Sequence, residues 1–340
     1  MKVSGFTEEQ GTTYNIHGFV ISVEGIANRE FLKEYWWAVT EDDLNPNLIV
    51  KICETHEDLP TKPAGCKKGF FIPFKEEENV LLYQKGVPLN VLLGYCEGLF
   101  WWPDKSILHA GGVCKDGKAF IFTGGGNVGK TSIVLNLLKE GFEYLGDDWL
   151  VVDSEKAYPM PKTIHIFDYN LKNKEIADRV LGFKKFLYYP YFWFLKSLRE
   201  HFPHRYVRYG LEILKPIFRV NLNNINPNAK IGSPTRIFKI FFLERSNLVD
   251  DIYLSEDVRA EELARRAMHV NLYEWNFIYK EYNRYAYLFG IKNEKFEKRP
   301  YHEYNILYNT FKRNRIIRVI IPYKMDLSKE DIVPLFKLEV

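Results

Sequence analysis

The chain lacks any uninterrupted apolar run near the roughly 20 residues needed to span a bilayer, and it has no internal repeat and no low-complexity tract. Its opening residues, Met-Lys-Val-Ser-Gly-Phe-Thr-Glu-Glu-Gln, lack the apolar core of a signal peptide, so a cytoplasmic location is expected. Net charge is small as well. Forty-seven Lys and Arg against 44 Asp and Glu leave +3, too little to imply nucleic acid or an acidic membrane as partner, so any electropositive feature must be local. Cysteine is scarce: four residues at 53, 66, 96 and 114 contain no Cys-x-x-Cys pair. His56 follows Cys53 by three positions, but no second pair stands at a spacing that would complete a zinc site. Reduced structural thiols are the favoured reading.

What is present suits a globular protein. The 340 residues are 46% hydrophobic and 27% charged, enough for one large or two medium domains with a sizeable core. Aromatic residues reach 16%, so part of the core or a binding face is built from Tyr and Phe. Residues 1 to about 100 read mainly as short strands: Tyr14 to Val23 alternates, and Leu48 to Cys53 and Asn79 to Tyr83 follow, with a loop at Asp58 to Gly65. From Ser106 onward the pattern changes. Ala119-Phe-Ile-Phe-Thr123 reads as a buried strand entering three glycines, and Thr131 to Lys139 carries Ile133, Val134, Leu137 and Leu138 at helical spacing. Strands are expected at Phe142 to Leu145, Leu150 to Asp153, Ile237 to Leu243 and Ile316 to Ile321, and Pro159 and Pro161 break the chain before Lys162 to Phe167. A helix is expected from Asp257 to about Phe289, and a turn-rich loop at Asn221 to Asn228.

The spacing Gly124-Gly125-Gly126-Asn127-Val128-Gly129-Lys130-Thr131 is the pattern of a phosphate-binding loop between a strand and a helix. Glycines let successive backbone N–H groups converge on phosphate oxygens, and the helix adds the positive end of its dipole. Lys130 would reach the outer phosphates, and the Thr131 hydroxyl would sit on Mg²⁺. The same residues contain Gly124-x-Gly126-x-x-Gly129, the dinucleotide fingerprint, with acids about 20 positions on. That fingerprint does not call for a Lys-Thr pair after its last glycine, so the phosphate loop is favoured over it, and also over a glycine turn with an incidental lysine.

Asp147 and Asp148 follow the next strand, which returns them to the sheet edge that carries the loop. Taken alone they read as a polar turn. Coupled to the loop, they supply the two carboxylates that phosphoryl transfer uses, one for metal and one for a proton. Their mutual repulsion should raise one pKa or recruit a cation. His109, in Ile107-Leu-His-Ala-Gly-Gly112, lies one strand before the loop and on its own reads as structural.

Leu108 to Asp153 resembles the catalytic core of HPr kinase/phosphorylase, whose P-loop fold is shared with ATP-dependent phosphoenolpyruvate carboxykinase. The matching parts are Leu108-His-Ala, a hairpin through Lys115-Asp-Gly117, the strand Ala119 to Thr123, the loop to Thr131, and Gly146-Asp-Asp148. His109 stands 22 residues before Thr131, and Asp147 stands 16 after it. The resemblance implies Asp147 as catalytic base, Asp148 as a metal-linked acid and His109 near the reacting phosphate. It also makes Arg245, after the later strand, a candidate for contacting phosphate. Ser132 stands where the HPr-directed enzymes carry an acidic residue, and their downstream glycine-rich signature has no counterpart, so HPr is not the expected acceptor.

Between Phe183 and Arg219 lie eight Lys and Arg against two Glu, interleaved with Tyr188, Tyr189, Tyr191, Phe192, Trp193, Phe194, Tyr206 and Tyr209. Helix interrupted by Pro190, Pro203 and Pro216 is expected here. The favoured reading is an insertion that packs its aromatic face on the core while Lys and Arg reach outward. A substrate lid comes second, and nucleic-acid or membrane contact third.

The expected fold is therefore α/β: a mostly β N-terminal domain at 1–100, then a P-loop domain of the HPr kinase/phosphoenolpyruvate carboxykinase type at 101–340 with a helical insertion at about 168–232. The expected activity is an ATP- and Mg²⁺-dependent kinase acting on a hydroxyl of a small metabolite or a protein serine. The alternative is a nucleotide-dependent switch or maturation partner without catalysis. The acceptor is not legible, and a homo-oligomer is left open.

Overall fold

The computed structural model describes residues 11–25, 27–53, 70–71, 79–84, 87–168, 170–201, 204, 210–211, 214, 216–327, 330–336 and 338. The expected loop at 58–65, His56 and Cys66, and Pro203, Tyr206 and Tyr209 of the basic aromatic segment lie outside them. The chain is a mixed α/β protein with several sheets. It divides into two compact units, one of residues 1–109, 150–158 and 256–316, the other of 110–149, 159–255 and 317–340.

The first unit contains a six-stranded sheet ordered β3-β1-β2-β4-β6-β5. Its strands are β1 (Thr12–Ile16), β2 (Phe19–Val23), β3 (Val39–Thr40), β4 (Leu48–Cys53), β5 (Phe70–Phe71) and β6 (Val80–Gln84). The single strand expected from Tyr14 to Val23 is a hairpin instead. His17 and Gly18 both take positive φ, 53° and 96°, as a two-residue turn of the primed type demands. Asn15 Oδ1 accepts the Gly18 N–H at 2.8 Å and fixes the turn.

Two helices, α1 (Ala27–Tyr35) and α2 (Leu89–Gly98), sit where the sequence reads mainly as strand. In α1, Ala27, Phe31 and Tyr35 are buried at a spacing of four, which is helical and not alternating.

Strand β7 (Ser106–Lys115) begins in this unit. The hairpin β10 (Trp149–Val152) and β11 (Lys156–Tyr158) and the helices α7 (Ala260–Glu274), α8 (Asn276–Phe289) and α9 (Glu294–Arg313) complete it. The one long helix expected from Asp257 is broken at Trp275, whose ψ of 16° leaves the helical range while its ring stays buried. Helix α9 was not expected at all. It runs through Pro300, and its buried Arg299 donates to Glu303 Oε1 at 2.7 Å, to the Gly98 carbonyl, and lies over the Trp275 ring.

The sheet strands of the second unit run in the order β7-β8-β14-β16-β15, with β9 paired to β7 off that path. Its strands are β8 (Lys118–Gly124), β9 (Glu143–Gly146), β14 (Thr235–Ser246), β15 (Tyr253–Ser255), β16 (Arg315–Pro322) and the later part of β7. The β7–β8 hairpin turns at Asp116 and Gly117, both at positive φ, as the Asp-Gly pair implies. Strand β14 pairs parallel with β8, and β7 is antiparallel to both β8 and β9. It follows that β8, β9 and β14 share one direction and end at one edge of the sheet.

Helix α3 (Lys130–Lys139) returns along the sheet face, burying Ile133, Val134, Leu137 and Leu138 against Phe120, Phe122 and Phe241. Around it lie α4 (Lys174–Leu181), α6 (Leu222–Ile225), α10 (Ile332–Leu335) and a two-stranded sheet of β12 (Ile164–Ile166) and β13 (Phe218–Val220). The loop expected at 221–228 is thus partly the short helix α6.

Helix α5 (Lys185–His201) departs from expectation twice. It continues through Pro190, which forfeits one backbone bond to the carbonyl four residues earlier on an exposed face. Nor does its aromatic content all pack inward: Tyr188 and Phe192 lean on the core, whereas Phe183, Phe186, Leu187, Trp193 and Phe194 around it are exposed. Cys96 and Cys114 are buried free thiols. Among the described residues no helix is long and apolar enough to cross a membrane.

Candidate functional site

Strand β8 delivers Gly124 to the sheet edge, and the next seven residues curl back into α3. The curl requires left-handed backbone at Gly124 (φ 153°), Asn127 (φ 60°) and Gly129 (φ 108°). Two of these positions also admit no side chain. A Cβ at Gly124 would lie 2.5 Å from the Leu243 carbonyl oxygen, and one at Gly129 would lie 2.6 Å from Leu327 Cδ1. Val128 is buried in the core and anchors the middle of the loop, while Gly125, Gly126 and Asn127 are exposed. Gly129 caps α3 without a side-chain acceptor, so no carboxylate or hydroxyl competes for the first helical N–H groups. Lys130 is only 6% exposed, and its ammonium donates to the carbonyls of Gly124 at 3.1 Å and Gly125 at 2.8 Å. A cation is thereby held directly beneath the loop.

The two acids directly follow β9, beside the start of α3. Asp147 is 4% exposed; its Oδ2 accepts the Thr131 hydroxyl at 2.8 Å, and its Oδ1 is buried without a hydrogen-bond partner. That second oxygen faces Gly111 of β7, where a Cβ would approach it to 3.4 Å and Val134 Cγ2 to 2.8 Å. Burial pushes the Asp147 carboxyl up to about 7, with the neighbouring Asp148 adding to the rise. The Thr131 hydroxyl, Lys130 and His165 oppose it incompletely. Asp148 occupies left-handed backbone at φ 73°. Its carbonyl accepts the Ala110 N–H, and its Oδ2 lies 3.0 Å from His165 Nδ1. Both partners of this second pair are partly open to solvent, Asp148 at 41% and His165 at 32% of the side chain.

His165 was not among the residues singled out in the sequence. The available signal was its place between Ile164 and Ile166: both isoleucines are fully buried, so alternation turns the histidine to the opposite face of β12.

Arg245, at the end of β14, does reach the loop. Its Nη1 donates to the carbonyls of Pro322, Tyr323 and Met325 at 3.2, 3.0 and 2.9 Å. Its Nη2 is 3.5 Å from the point a Gly129 Cβ would occupy. His109 is partly buried on β7 and is the last residue of the first segment of the first unit. Ser132 lines a cavity of about 390 Å³ along the outer side of α3, together with Asn136, Lys139, Glu175, Arg179 and Asn226.

Among the described residues no group of three or more His, Cys, Asp or Glu side chains stands ready to hold a metal by itself. Mg²⁺ ordinarily takes only one or two protein carboxylates, the rest of its shell being phosphate and water. The hard oxygen donors Thr131 Oγ1 and Asp147, with one carboxylate oxygen unpartnered, fit that mode.

No protein-family model matches the chain. No curated protein matches it either.

Proposed function

We propose that the chain is an ATP- and Mg²⁺-dependent kinase of the HPr kinase type that phosphorylates a hydroxyl group on an acceptor other than HPr. The observation that carries this reading is the meeting, at one sheet edge, of a glycine loop with a buried lysine and a carboxylate bonded to the Thr131 hydroxyl. The exposed residues Gly125 to Asn127 and the start of α3 carry backbone N–H groups of the kind suited to polyphosphate oxygens. On binding, Lys130 would exchange the loop carbonyls for phosphate oxygens. Bound Mg²⁺ would supply charge neutralisation between the outer phosphates. Thr131 and Asp147 are the residues that would hold it, and the raised Asp147 pKa means that its proton must leave when the cation arrives.

The resemblance implies Asp147 as base and Asp148 as the metal-linked acid. The geometry favours the exchange of these roles. Asp147 is buried and tied to Thr131, whereas Asp148 is accessible and backed by a histidine that can share or relay a proton. Asp148 with His165 would then accept the proton of the attacking hydroxyl. Arg245 holds the 322–325 turn beside the loop and would act as a positioning residue. ATP and Mg²⁺ as co-substrates go with a cytoplasmic site of action.

The test is transfer of label from γ-labelled ATP with Mg²⁺, in parallel to a metabolite extract and to cell protein. Transfer lost in both Asp147→Asn and Asp148→Asn supports the kinase. Nucleotide binding with no transfer to any acceptor supports the non-catalytic switch, and absence of nucleotide binding overturns both readings.

A further inference from the structure

We propose that α5 is a docking face for an anionic membrane surface, on which the helix lies flat. Phe183, Phe186, Leu187, Trp193 and Phe194 are 92, 72, 75, 71 and 52% exposed. Within α5, Phe186 and Trp193, and Leu187 and Phe194, recur at a spacing of seven with Pro190 between them, and Phe183 lies in the short 3-10 turn that leads into the helix, so they form one stripe. The opposite face is already used: Tyr188 and Phe192 pack on the core, Tyr188 against the edge of the Phe218 ring, and Leu195 is buried. A helix apolar on two faces has one face left over, and large solvent-exposed aromatics in a continuous row mark an interaction surface.

The surrounding charge selects the occupant. Residues 182–201 carry Lys184, Lys185, Lys196 and Arg199 against the single acid Glu200. This excess is local, since the whole chain is nearly balanced. At helical spacing Lys184 lies to one side of the stripe and Lys185 and Lys196 to the other, where their stems can follow the apolar edge while the ammonium groups meet lipid phosphates. Lys185 pairs with Asp178 and Lys196 approaches Glu200 to 3.9 Å, both in exposed, readily exchanged contacts. Phe, Trp and Leu on one face with basic flanks is the composition of helices that lie in the interface of a bilayer. A seam for a second copy of the chain would place these like charges against each other, which disfavours that occupant.

The inference does not depend on the nucleotide reading. The full chain is floated with vesicles of phosphatidylcholine alone and of phosphatidylcholine with phosphatidylglycerol, at low and high salt. Flotation with the anionic vesicles only, weakened by salt, is expected. Phe186→Ser with Trp193→Ser should lower it at least about tenfold without lowering the melting temperature, because both side chains are exposed. Lys184→Glu with Lys196→Glu should weaken it by a smaller factor. Quenching of tryptophan emission by brominated lipid should shrink in Trp193→Phe. Equal flotation of wild type and the double serine variant overturns the proposal, as does flotation with neither vesicle. It is also overturned by a concentration-dependent dimer that the serine substitutions dissociate, or by binding to RNA in preference to vesicles.

Discussion

The Thr131 hydroxyl donates to Asp147 Oδ2 across 2.8 Å, so the second residue of α3 is bonded to the acid that directly follows β9. The other oxygen of Asp147 is buried and unpartnered next to Gly111. The consequences of this arrangement can be measured without knowing the acceptor.

Stability should fall as pH rises through the range in which Asp147 ionises. Its carboxyl is pushed from 3.8 to about 7 in the folded chain, so the native state holds this proton more tightly than the unfolded state. The stabilising contribution is therefore full below about pH 4 and is lost as pH climbs through about 7. Denaturant titrations should show Asp147→Asn lacking this slope, with the difference from wild type on the order of a few kcal/mol across the window. An unchanged slope in the variant would show that another group is responsible.

Removal of the Lys130 ammonium should uncouple nucleotide binding from folding. Lys130→Met should weaken triphosphate binding by at least about tenfold, the effect of losing a charge-assisted contact. The melting temperature should shift little, because methionine keeps the buried stem and the ammonium's bonds to the Gly124 and Gly125 carbonyls are neutral-acceptor contacts. Calorimetry and a thermal melt on the same sample check both halves.

Asp148→Asn and His165→Asn should depress phosphate transfer while sparing affinity. Rates lower by about 10²-fold or more are expected for Asp148→Asn if it takes the proton. Measured in parallel, Asp147→Asn should also change the Mg²⁺ dependence of nucleotide binding, which Asp148→Asn should leave in place. The reverse pattern would restore the assignment that the family resemblance implies.

Gly111→Ala places a methyl group 2.8 Å from Val134 Cγ2 and 3.4 Å from the unpartnered Asp147 oxygen. The strand cannot yield there without disturbing its pairing with β8. Destabilisation of about 1–3 kcal/mol is expected from overpacking, with a shift in the pH slope assigned to Asp147. Chemical denaturation at two pH values distinguishes these effects.

In the first unit, Arg299→Ala should cost about 3–5 kcal/mol, since it strands the buried Glu303 carboxylate. Replacing both with apolar residues, as in Arg299→Met with Glu303→Leu, should recover most of that loss. Equilibrium unfolding of the single and double variants provides the comparison.

Several features were legible before any coordinates because they depend on neighbours close in sequence. Glycines at 124 and 129, the apolar spacing through α3 and the Asp-Gly turn at 116 and 117 are local backbone requirements, and each has its structural counterpart. Where the local pattern is ambiguous, sequence reasoning failed. The alternation from Tyr14 to Val23 carries across the turn at His17 and Gly18, so a hairpin looks like one strand. The helical spacing past Asp257 runs unbroken through Trp275, where burial of a large ring accompanies the break between α7 and α8.

What the sequence by itself determined about this protein is a glycine loop of set conformation and the residues that can line it. Only the tertiary structure decided that His165 stands beside Asp148, that Thr131 is bonded to Asp147 rather than to Asp148, and which aromatic face of α5 is covered. The reason is physical. Periodicity assigns side chains to faces, but when both faces are apolar only the elements that arrive from elsewhere in the chain select the one that is buried.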